Sequence, residues 1–348
     1  MIKASIILPT FNRCFYLEKT LTALINQEAP ANEYEILVCD NASTDKTKEI
    51  VLEKQKQNPH INLRYLYEPI PGSLSARHCG YRKSNTDNIL IFIDDDVLPV
   101  NNWLSAIIYT FNTNRDVHML GGPSIPIYEA PRPQWIEYFS TKKDITECCP
   151  DLSLLQIQTD NIFEVDPVMI MSLNMSIRKK TFKECGGLHL CVMPKEYQHF
   201  QGDGETGLSI KLKDKGYKAF YNPNIEVKHI IPKERLTFNY FDNRYFYQGV
   251  CNSYTDIRTK YRLYKSTLNN LSLYRKARHF AGNVKRGIFQ EKILEEKYQE
   301  MLLRQRFHQC YLAGYNFHQW AVKNNNKLLS WVLKENYFDY KLPDIFND

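Results

Sequence analysis

Three consecutive aspartates, Asp94, Asp95 and Asp96, directly follow the apolar run "ILIFI" at residues 89–93. Alternate side chains of a strand point to the same side, so Asp94 and Asp96 are expected to share one site despite their mutual repulsion. A hard divalent cation such as Mn²⁺ or Mg²⁺ takes oxygen ligands and commonly joins a few carboxylates to phosphates. The aspartates therefore predict a metal site that a phosphate-bearing ligand completes. Solvated aspartates in a loop after a strand are the alternative interpretation.

The sequence lacks the glycine-rich loops by which many proteins hold phosphates. Neither a G-x-x-x-x-G-K-[ST] loop nor a G-x-G-x-x-G loop after a strand occurs in it. The chain is therefore predicted to be neither a P-loop protein nor a dinucleotide-binding Rossmann protein. A diphosphate is expected to be held by the metal rather than by a backbone cradle.

Strand-like and helix-like segments alternate through the first hundred residues. Four apolar runs, at residues 4–10, 34–40, 61–68 and 88–94, predict strands with helices between them. This alternation predicts right-handed crossovers and a mostly parallel sheet. Because ligands bind beyond the carboxyl ends of strands in such sheets, Thr10, Asp40 and Asp94 are expected along one edge of the fold.

Composition is ordinary for a soluble globular protein. The 348 residues are 43% hydrophobic and 24% charged, which allows a large core. No stretch approaches the roughly 18 consecutive apolar residues of a membrane span, and the start reads as a first strand rather than a secretion signal. Nine cysteines without a CxxC pair favour reduced thiols. A cytoplasmic location is expected.

Residues 236–348 differ from the preceding part in having few Pro and Gly residues and many Tyr, Leu, Lys and Glu, which predicts helices. Between Arg258 and Arg286 there are nine basic residues and no acidic one. Such a stretch could make peripheral contact with an anionic membrane at its inner face, and a solvated basic helix face is an equally good interpretation. No recognition motif for nucleic acid accompanies it, so no nucleic-acid partner is expected.

Four motifs, in this order, resemble those of the inverting family 2 glycosyltransferases: "SIILPTFNR", "ILVCDNASTDKT", "SARHCG" and "IFIDDDVLP". The similarity extends over about residues 3–232. It implies an α/β protein of the GT-A fold, with a Rossmann-like, mostly parallel sheet flanked by helices. The implied catalytic domain covers 1–235, with a nucleotide-binding half (1–100) and an acceptor half (101–235). A helical C-terminal extension, 236–348, follows it.

The resemblance also implies roles for residues at the strand ends. Asp40 matches the position that reads the base, where a carboxylate accepts the ring N–H of uracil or thymine. Asp94 would approach the ribose and could also reach the metal, and Asp96 would coordinate the metal on the diphosphate. The other positions implied to contact the nucleotide-sugar are Pro9, Thr10, Asn12, Arg13, Arg77 and Asp95.

Inversion needs a general base that accepts the proton of the acceptor hydroxyl. The family places an Asp or Glu for this purpose where a helix opens, and in "QGDGETGLSIKLK" Glu205 falls on that position. Asp203 is the alternative, because Gly204 and Gly207 depart from the family pattern.

His229 resembles a third metal ligand or a diphosphate contact of GT-A enzymes, with a structural role as the alternative. Asn174, Arg235 and Arg244 are weaker candidates for contact with the acceptor or with phosphate.

The predicted function is that of a metal-dependent inverting glycosyltransferase. It would move a single sugar from a nucleotide-sugar, favoured as a UDP-sugar, to a hydroxyl of a saccharide, lipid-linked or other acceptor, as polysaccharide biosynthesis requires. The unusual "GDGETG" leaves open an inactive GT-A protein that binds carbohydrate or nucleotide. A sugar nucleotidylyltransferase is a further alternative, although "LPTFNRCFY" does not resemble its triphosphate-gripping loop.

Overall fold

A computed structural model describes residues 2–269 and 291–344. Its strands, in chain order, are β1 (Ala4–Thr10), β2 (Tyr34–Asp40), β3 (Leu63–Tyr67), β4 (Ile89–Ile93), β5 (Val97–Pro99), β6 (Val117–Gly121), β7 (Ser124–Tyr128), β8 (Thr141–Lys143), β9 (Thr146–Cys149), β10 (Leu154–Ile157), β11 (Phe163–Val165), β12 (Asn174–Arg178), β13 (Lys218–Tyr221) and β14 (Val227–Ile231). Its helices are α1 (Cys14–Ile25), α2 (Thr47–Gln57), α3 (Ser73–Lys83), α4 (Trp103–Thr113), α5 (Lys179–Glu184), α6 (Gly204–Asp214), α7 (Phe238–Asn269), α8 (Glu291–Asn324) and α9 (Asn326–Val332). The predicted α/β fold with a helical C-terminal part is confirmed.

The larger sheet has the strand order β11-β13-β6-β12-β4-β1-β2-β3. Strands β3, β2, β1 and β4 run parallel to one another, as the alternation of strands and helices in the first hundred residues predicts. Strand β12 is inserted antiparallel between β4 and β6, so the sheet as a whole is mixed. The carboxyl ends of β1, β2 and β4 consequently lie at one edge.

The central strands are apolar throughout because both faces of the sheet are covered. On one face Ile7 and Leu37 belong to a core shared with the C-terminal helices. On the other face Ile6 and Ile36 pack against the helices that connect the strands. Strands buried on both sides form a rigid base for the polar residues that follow them.

The smaller sheet places His229 near the aspartates. Its strand order is β5-β14-β7-β10-β9-β8. Strand β5 begins directly after Asp96 and pairs antiparallel with β14, so that Val97 lies opposite His229. Two segments about 130 residues apart in the chain thus meet at the carboxyl end of β4.

The C-terminal helices pack closely on one another and on the rest of the protein. Helices α7 and α8 approach so closely that a Cβ atom at Gly249 would lie 2.0 Å from the Tyr311 carbonyl oxygen. Beyond α9, the Tyr337 carbonyl accepts a hydrogen bond of 2.9 Å from His78 Nδ1 in α3. The division into 1–235 and 236–348 stays a prediction, with α7 beginning at Phe238.

Within 2–269 and 291–344, no helix carries an apolar stretch of the length that a membrane crossing needs. Most of the basic stretch 258–286, for which membrane contact is one of two interpretations, falls in 270–290 and lies outside the described residues.

Candidate functional site

Asp95 points into the protein and joins the end of β4 to the end of β1. Its carboxylate accepts hydrogen bonds from Thr10 Oγ1 at 2.7 Å and from Arg13 Nη1 at 2.8 Å. Burial raises the pKa of Asp95 to about 7, and Arg13 only partly offsets this effect. Pro9 is itself buried in β1 just before Thr10. These residues brace the site, and the Asp95 carboxylate is almost entirely buried among them.

Asp96 is surrounded by positive and nitrogen-bearing groups. Its Oδ2 atom accepts from Arg13 Nη2 at 2.8 Å and lies 2.9 Å from Arg235 Nη2 and 3.5 Å from His229 Nε2. Burial opposes the charge of Asp96, but the contact with His229 and the positive charges of Arg235 and Arg13 outweigh it and hold the pKa of Asp96 well below the usual range. An ionised, buried carboxylate therefore stands at the end of β4. Asp96, His229, Arg13 and Arg235 are called the Asp96 cluster below.

Asp94 lies at the rim, with a third of its side chain exposed, and forms an ion pair with Arg77 Nη2. Arg77 is buried in α3, and its Nη1 donates to Ser73 Oγ at 3.4 Å. The predicted ribose and phosphate residues are thus adjacent to each other, and Asp94 is the most exposed of the three aspartates.

Asp40 ends β2 and lies beneath two loops. Its Oδ2 accepts from the Tyr65 hydroxyl at 2.7 Å, and its Oδ1 accepts from the Ser43 amide at 2.9 Å. Asn12 joins the two loops, because its Oδ1 accepts from the Thr44 amide at 2.7 Å. The φ of Asn12 is 52°, a left-handed conformation that Asn tolerates better than most residues. The structure gives Asn12 a loop-shaping position.

Asp203 is buried at the start of α6 with both oxygens engaged. Oδ1 accepts from His189 Nδ1 at 2.6 Å, and Oδ2 accepts from Thr255 Oγ1 at 2.7 Å. Burial lowers the pKa of His189 to about 4, so at neutral pH a neutral imidazole donates to an ionised Asp203. Burial opposes the charge of Asp203, yet His189 and Thr255 leave its pKa below the ordinary value.

Glu205 is the second residue of α6 and is only partly buried. Burial and the nearby charge of Glu205 raise the pKa of the Cys191 thiol, which shows that the two side chains are neighbours. Burial tends to lower the pKa of Arg244, but Tyr240, Asp151 and Glu205 nearby outweigh it and raise that pKa above its ordinary value. Within the described residues no ion pair engages the Arg244 guanidinium. Glu205 and Arg244 therefore face one space from two helices.

Two glycines explain how α6 departs from the family pattern. Gly204 has a φ of 55°, which a glycine adopts without strain. At Gly207 a Cβ atom would lie 2.3 Å from both Asp203 Oδ1 and His189 Nδ1. A side chain at position 207 would therefore collide with the hydrogen-bonded pair that fixes the start of α6.

Asn174 supports the frame of the site. Its Oδ1 accepts from Trp103 Nε1 at 3.0 Å, and its Nδ2 donates to the Ile225 carbonyl at 2.8 Å. Both ends of this buried amide are thus hydrogen-bonded within the protein, and Asn174 joins β12 to its neighbours.

The Asp96 cluster fits a divalent cation with few protein ligands. In the part of the chain that the structure describes, no three His, Cys, Asp or Glu side chains are grouped to hold a metal. Asp96 Oδ2 and His229 Nε2 nevertheless lie 3.5 Å apart, and the Arg235 guanidinium, 2.8 Å from His229 Nε2, bridges them. Carboxylate and imidazole groups both bind divalent transition-metal ions such as Mn²⁺. The Arg235 guanidinium shows that a positive charge is accommodated at this position.

Comparison with known proteins gives three findings. Residues 5–162 match the family model described as glycosyl transferase family 2. Glycosyltransferase AglE of Haloferax volcanii is 37% identical over 119 residues, 34% of this chain and 38% of that protein. A Methanococcus voltae protein, dolichyl N-acetyl-alpha-D-glucosaminyl phosphate 3-beta-D-2,3-diacetamido-2,3-dideoxy-beta-D-glucuronosyltransferase, is 38% identical over 88 residues, 25% of this chain and 27% of that protein. Both curated relatives are thus matched over well under half of their lengths.

Among solved structures, mannosyltransferase PcManGT from Pyrobaculum calidifontis, in complex with GDP-Man and Mn²⁺, has a TM-score of 0.52 at 15% identity. The match covers 97% of this chain and 84% of that one. At this level of identity the likeness shows a shared fold.

Proposed function

We propose that the chain transfers one sugar from a nucleotide-sugar to an acceptor hydroxyl, because its residues 5–162 match the family model described as glycosyl transferase family 2 and its fold is that of GT-A enzymes. The transfer would invert the anomeric centre and depend on a divalent ion. The observation that carries the proposal is the ionised, buried Asp96 beside His229 at the carboxyl end of β4. Such a carboxylate is suited to a cation that a diphosphate brings with it.

The donor would lie across the ends of β1, β2 and β4. Asp40 would accept the ring N–H of the base, which favours UDP among common nucleotides, and Asp94 would contact the ribose. Arg77, already paired with Asp94, would compensate the phosphate charge. Asp96 and His229 would hold the divalent ion, with diphosphate oxygens and water as its other ligands. A bound divalent ion supplies Lewis-acid neutralisation of the leaving nucleoside diphosphate.

Glu205 is the proposed general base. Its carboxylate would accept the acceptor proton while the acceptor oxygen bonds to the anomeric carbon and the nucleoside diphosphate leaves from the opposite face. Asp203 is proposed to position α6 instead, because both of its oxygens already accept hydrogen bonds.

The acceptor is proposed to approach along Glu205 and Arg244. The Arg244 guanidinium, which forms no ion pair within residues 2–269 and 291–344, suits an acceptor with an anionic group, such as a lipid-linked sugar phosphate. The name of the Methanococcus voltae relative, which refers to a dolichyl-linked sugar phosphate, supports this choice. A neutral saccharide acceptor is the alternative.

Substitution Glu205→Gln tests the base directly. We expect the variant to bind UDP with Mn²⁺ as the parent does, within about threefold, because the substitution keeps the shape of a side chain proposed to contact the acceptor rather than the nucleotide. Sugar transfer or donor hydrolysis should fall about 10²- to 10⁴-fold, the usual contribution of a general base. Calorimetry measures the first quantity and nucleoside diphosphate release the second.

The matched control is Glu28→Gln, which neutralises an exposed carboxylate elsewhere on the protein. It should leave both quantities unchanged. Unaltered release in Glu205→Gln would refute the assigned role, and nucleotide binding without turnover in the parent would favour an inactive binding protein.

A further inference from the structure

The Arg235 guanidinium occupies the space between the two atoms assigned to the divalent ion. It lies 2.8 Å from His229 Nε2 through Nη1 and 2.9 Å from Asp96 Oδ2 through Nη2. A guanidinium can only donate hydrogen bonds, so His229 Nε2 must accept and must present its lone pair. The same lone pair and the same carboxylate oxygen are what a metal ion would take.

The two proposed ligands are fixed, whereas Arg235 has room to move. Asp96 and His229 expose 1% and 3% of their side chains, and both are held where β5 pairs with β14. Arg235 exposes 24% of its side chain and belongs to the short turn Lys233–Leu236 between β14 and α7. A long side chain on an exposed turn can leave its position without disturbing either sheet.

Electrostatic repulsion prevents the Arg235 guanidinium and a divalent ion from occupying the position beside Asp96 and His229 at the same time. Asp96 already has a positive partner besides Arg235, because Arg13 lies 2.8 Å from its carboxylate and 2.8 Å from that of Asp95. A divalent ion added while both arginines stay in place would put three positive groups next to the one oxygen Asp96 Oδ2. At such distances the repulsion between like charges stays considerable even at an effective dielectric constant of about 20.

We propose that Arg235 holds the cation position in the donor-free protein and yields it when the divalent ion arrives with the nucleoside diphosphate. The displaced guanidinium then becomes available to the diphosphate oxygens, which favour a planar pair of donors. This inference rests on the divalent ion of the proposed function. It makes Arg235 a positioning residue that couples metal binding to donor binding.

The test is the affinity for Mn²⁺ in the absence of nucleotide, measured by the loss of the free-ion signal in electron paramagnetic resonance. The parent should bind Mn²⁺ weakly. Substitution Arg235→Gln keeps a polar side chain but removes the competing charge, so the Mn²⁺ affinity should rise about tenfold. Adding UDP should strengthen Mn²⁺ binding less in this variant than in the parent.

The matched control is Lys233→Gln, which removes the same charge from the same turn at an exposed position. It should leave Mn²⁺ binding unchanged, and adding Asp96→Ala to Arg235→Gln should abolish the gain.

Unchanged or weaker Mn²⁺ binding in Arg235→Gln, with normal binding of Mn²⁺ and UDP by the parent, would overturn this inference alone. In that case Arg235 would only orient the His229 ring. Failure of every variant to bind Mn²⁺, with UDP or GDP present or absent, would overturn the metal dependence of the proposed function as well.

Discussion

Asp203 and Glu205 are two residues apart at the start of α6, yet their surroundings differ completely. Asp203 is enclosed, and its two oxygens accept from His189 and Thr255. Glu205 is partly open and faces Arg244. A buried, fully bonded carboxylate stabilises the fold, whereas an accessible one is able to exchange a proton with a ligand.

Substitution Asp203→Asn should therefore lower the free energy of unfolding by about 2–3 kcal/mol, because hydrogen bonds to a charged group are lost in a buried place. Urea denaturation at pH 7 measures this change. Glu205→Gln serves as the internal control and should alter stability by no more than about 0.5 kcal/mol. If Glu205→Gln were destabilised while the stability of Asp203→Asn stayed unchanged, the structural role would belong to Glu205 rather than to Asp203.

At the scale of residues, the sequence predicts which aspartates gather at the sheet edge but not what pairs with them. Tyr65 under Asp40 and His189 beside Asp203 were not anticipated. Tyr65 could have been found, because alternation along "LRYLY" places it on the same face of β3 as Tyr67, the residue opposite Asp40. No pattern in the sequence indicates His189, because its contact with Asp203 depends on the tertiary fold.

At the scale of elements, local periodicity identifies the first four strands well. Strands β1 and β2 have the predicted bounds, and β3 and β4 are shorter than predicted by a few residues. The insertion of β12 between β4 and β6, and the pairing of β5 with β14, were not predicted. Long-range pairing leaves no period in the sequence, so alternation alone cannot reveal it.

The contact of α7 with α8 depends on two glycines. A Cβ atom at Gly249 would lie 2.0 Å from the Tyr311 carbonyl, and one at Gly314 would lie 2.0 Å from the Phe246 carbonyl. Substitution Gly249→Ala should force the helices apart and lower the free energy of unfolding by about 1–3 kcal/mol or more, as overpacking does. Thermal and urea denaturation measure the loss.

Gln248→Ala is the control for this element, since it alters the neighbouring, exposed position of α7. Its effect should stay within about 0.5 kcal/mol. Equal stability of Gly249→Ala and the parent would show that α7 and α8 do not cross as closely as described.

At the scale of the whole molecule, the C-terminal helices and the catalytic sheet share one core. Tyr254 of α7 and Trp331 of α9 belong to the same buried cluster as Phe92 of β4. The Tyr254 and Tyr337 hydroxyls are 2.7 Å apart, which joins α7 to the segment after α9. A change in composition near residue 236 predicts where helices begin, but composition carries no information on which surfaces pack together.

This shared core connects the proposed general base, Glu205, to the proposed donor site. Thr255 of α7 bonds Asp203 and so ties the C-terminal helices to the helix that carries Glu205. The Asp96 cluster is held by the two sheets. The proposed chemistry therefore requires the complete fold rather than the matched family segment alone.

The proposed mechanism depends on Asp96, which would hold a divalent ion needed for sugar transfer. It is tested most directly by nucleoside diphosphate release from UDP-, dTDP- and GDP-sugars with Mn²⁺ or Mg²⁺, with and without a chelator. Asp96→Ala is run alongside, and Asp116→Ala, which removes an exposed carboxylate, is the control. We expect release from one donor that stops with the chelator and in Asp96→Ala but persists in Asp116→Ala. Release that continues both in the presence of the chelator and in Asp96→Ala would contradict the proposed role of Asp96 and of the divalent ion.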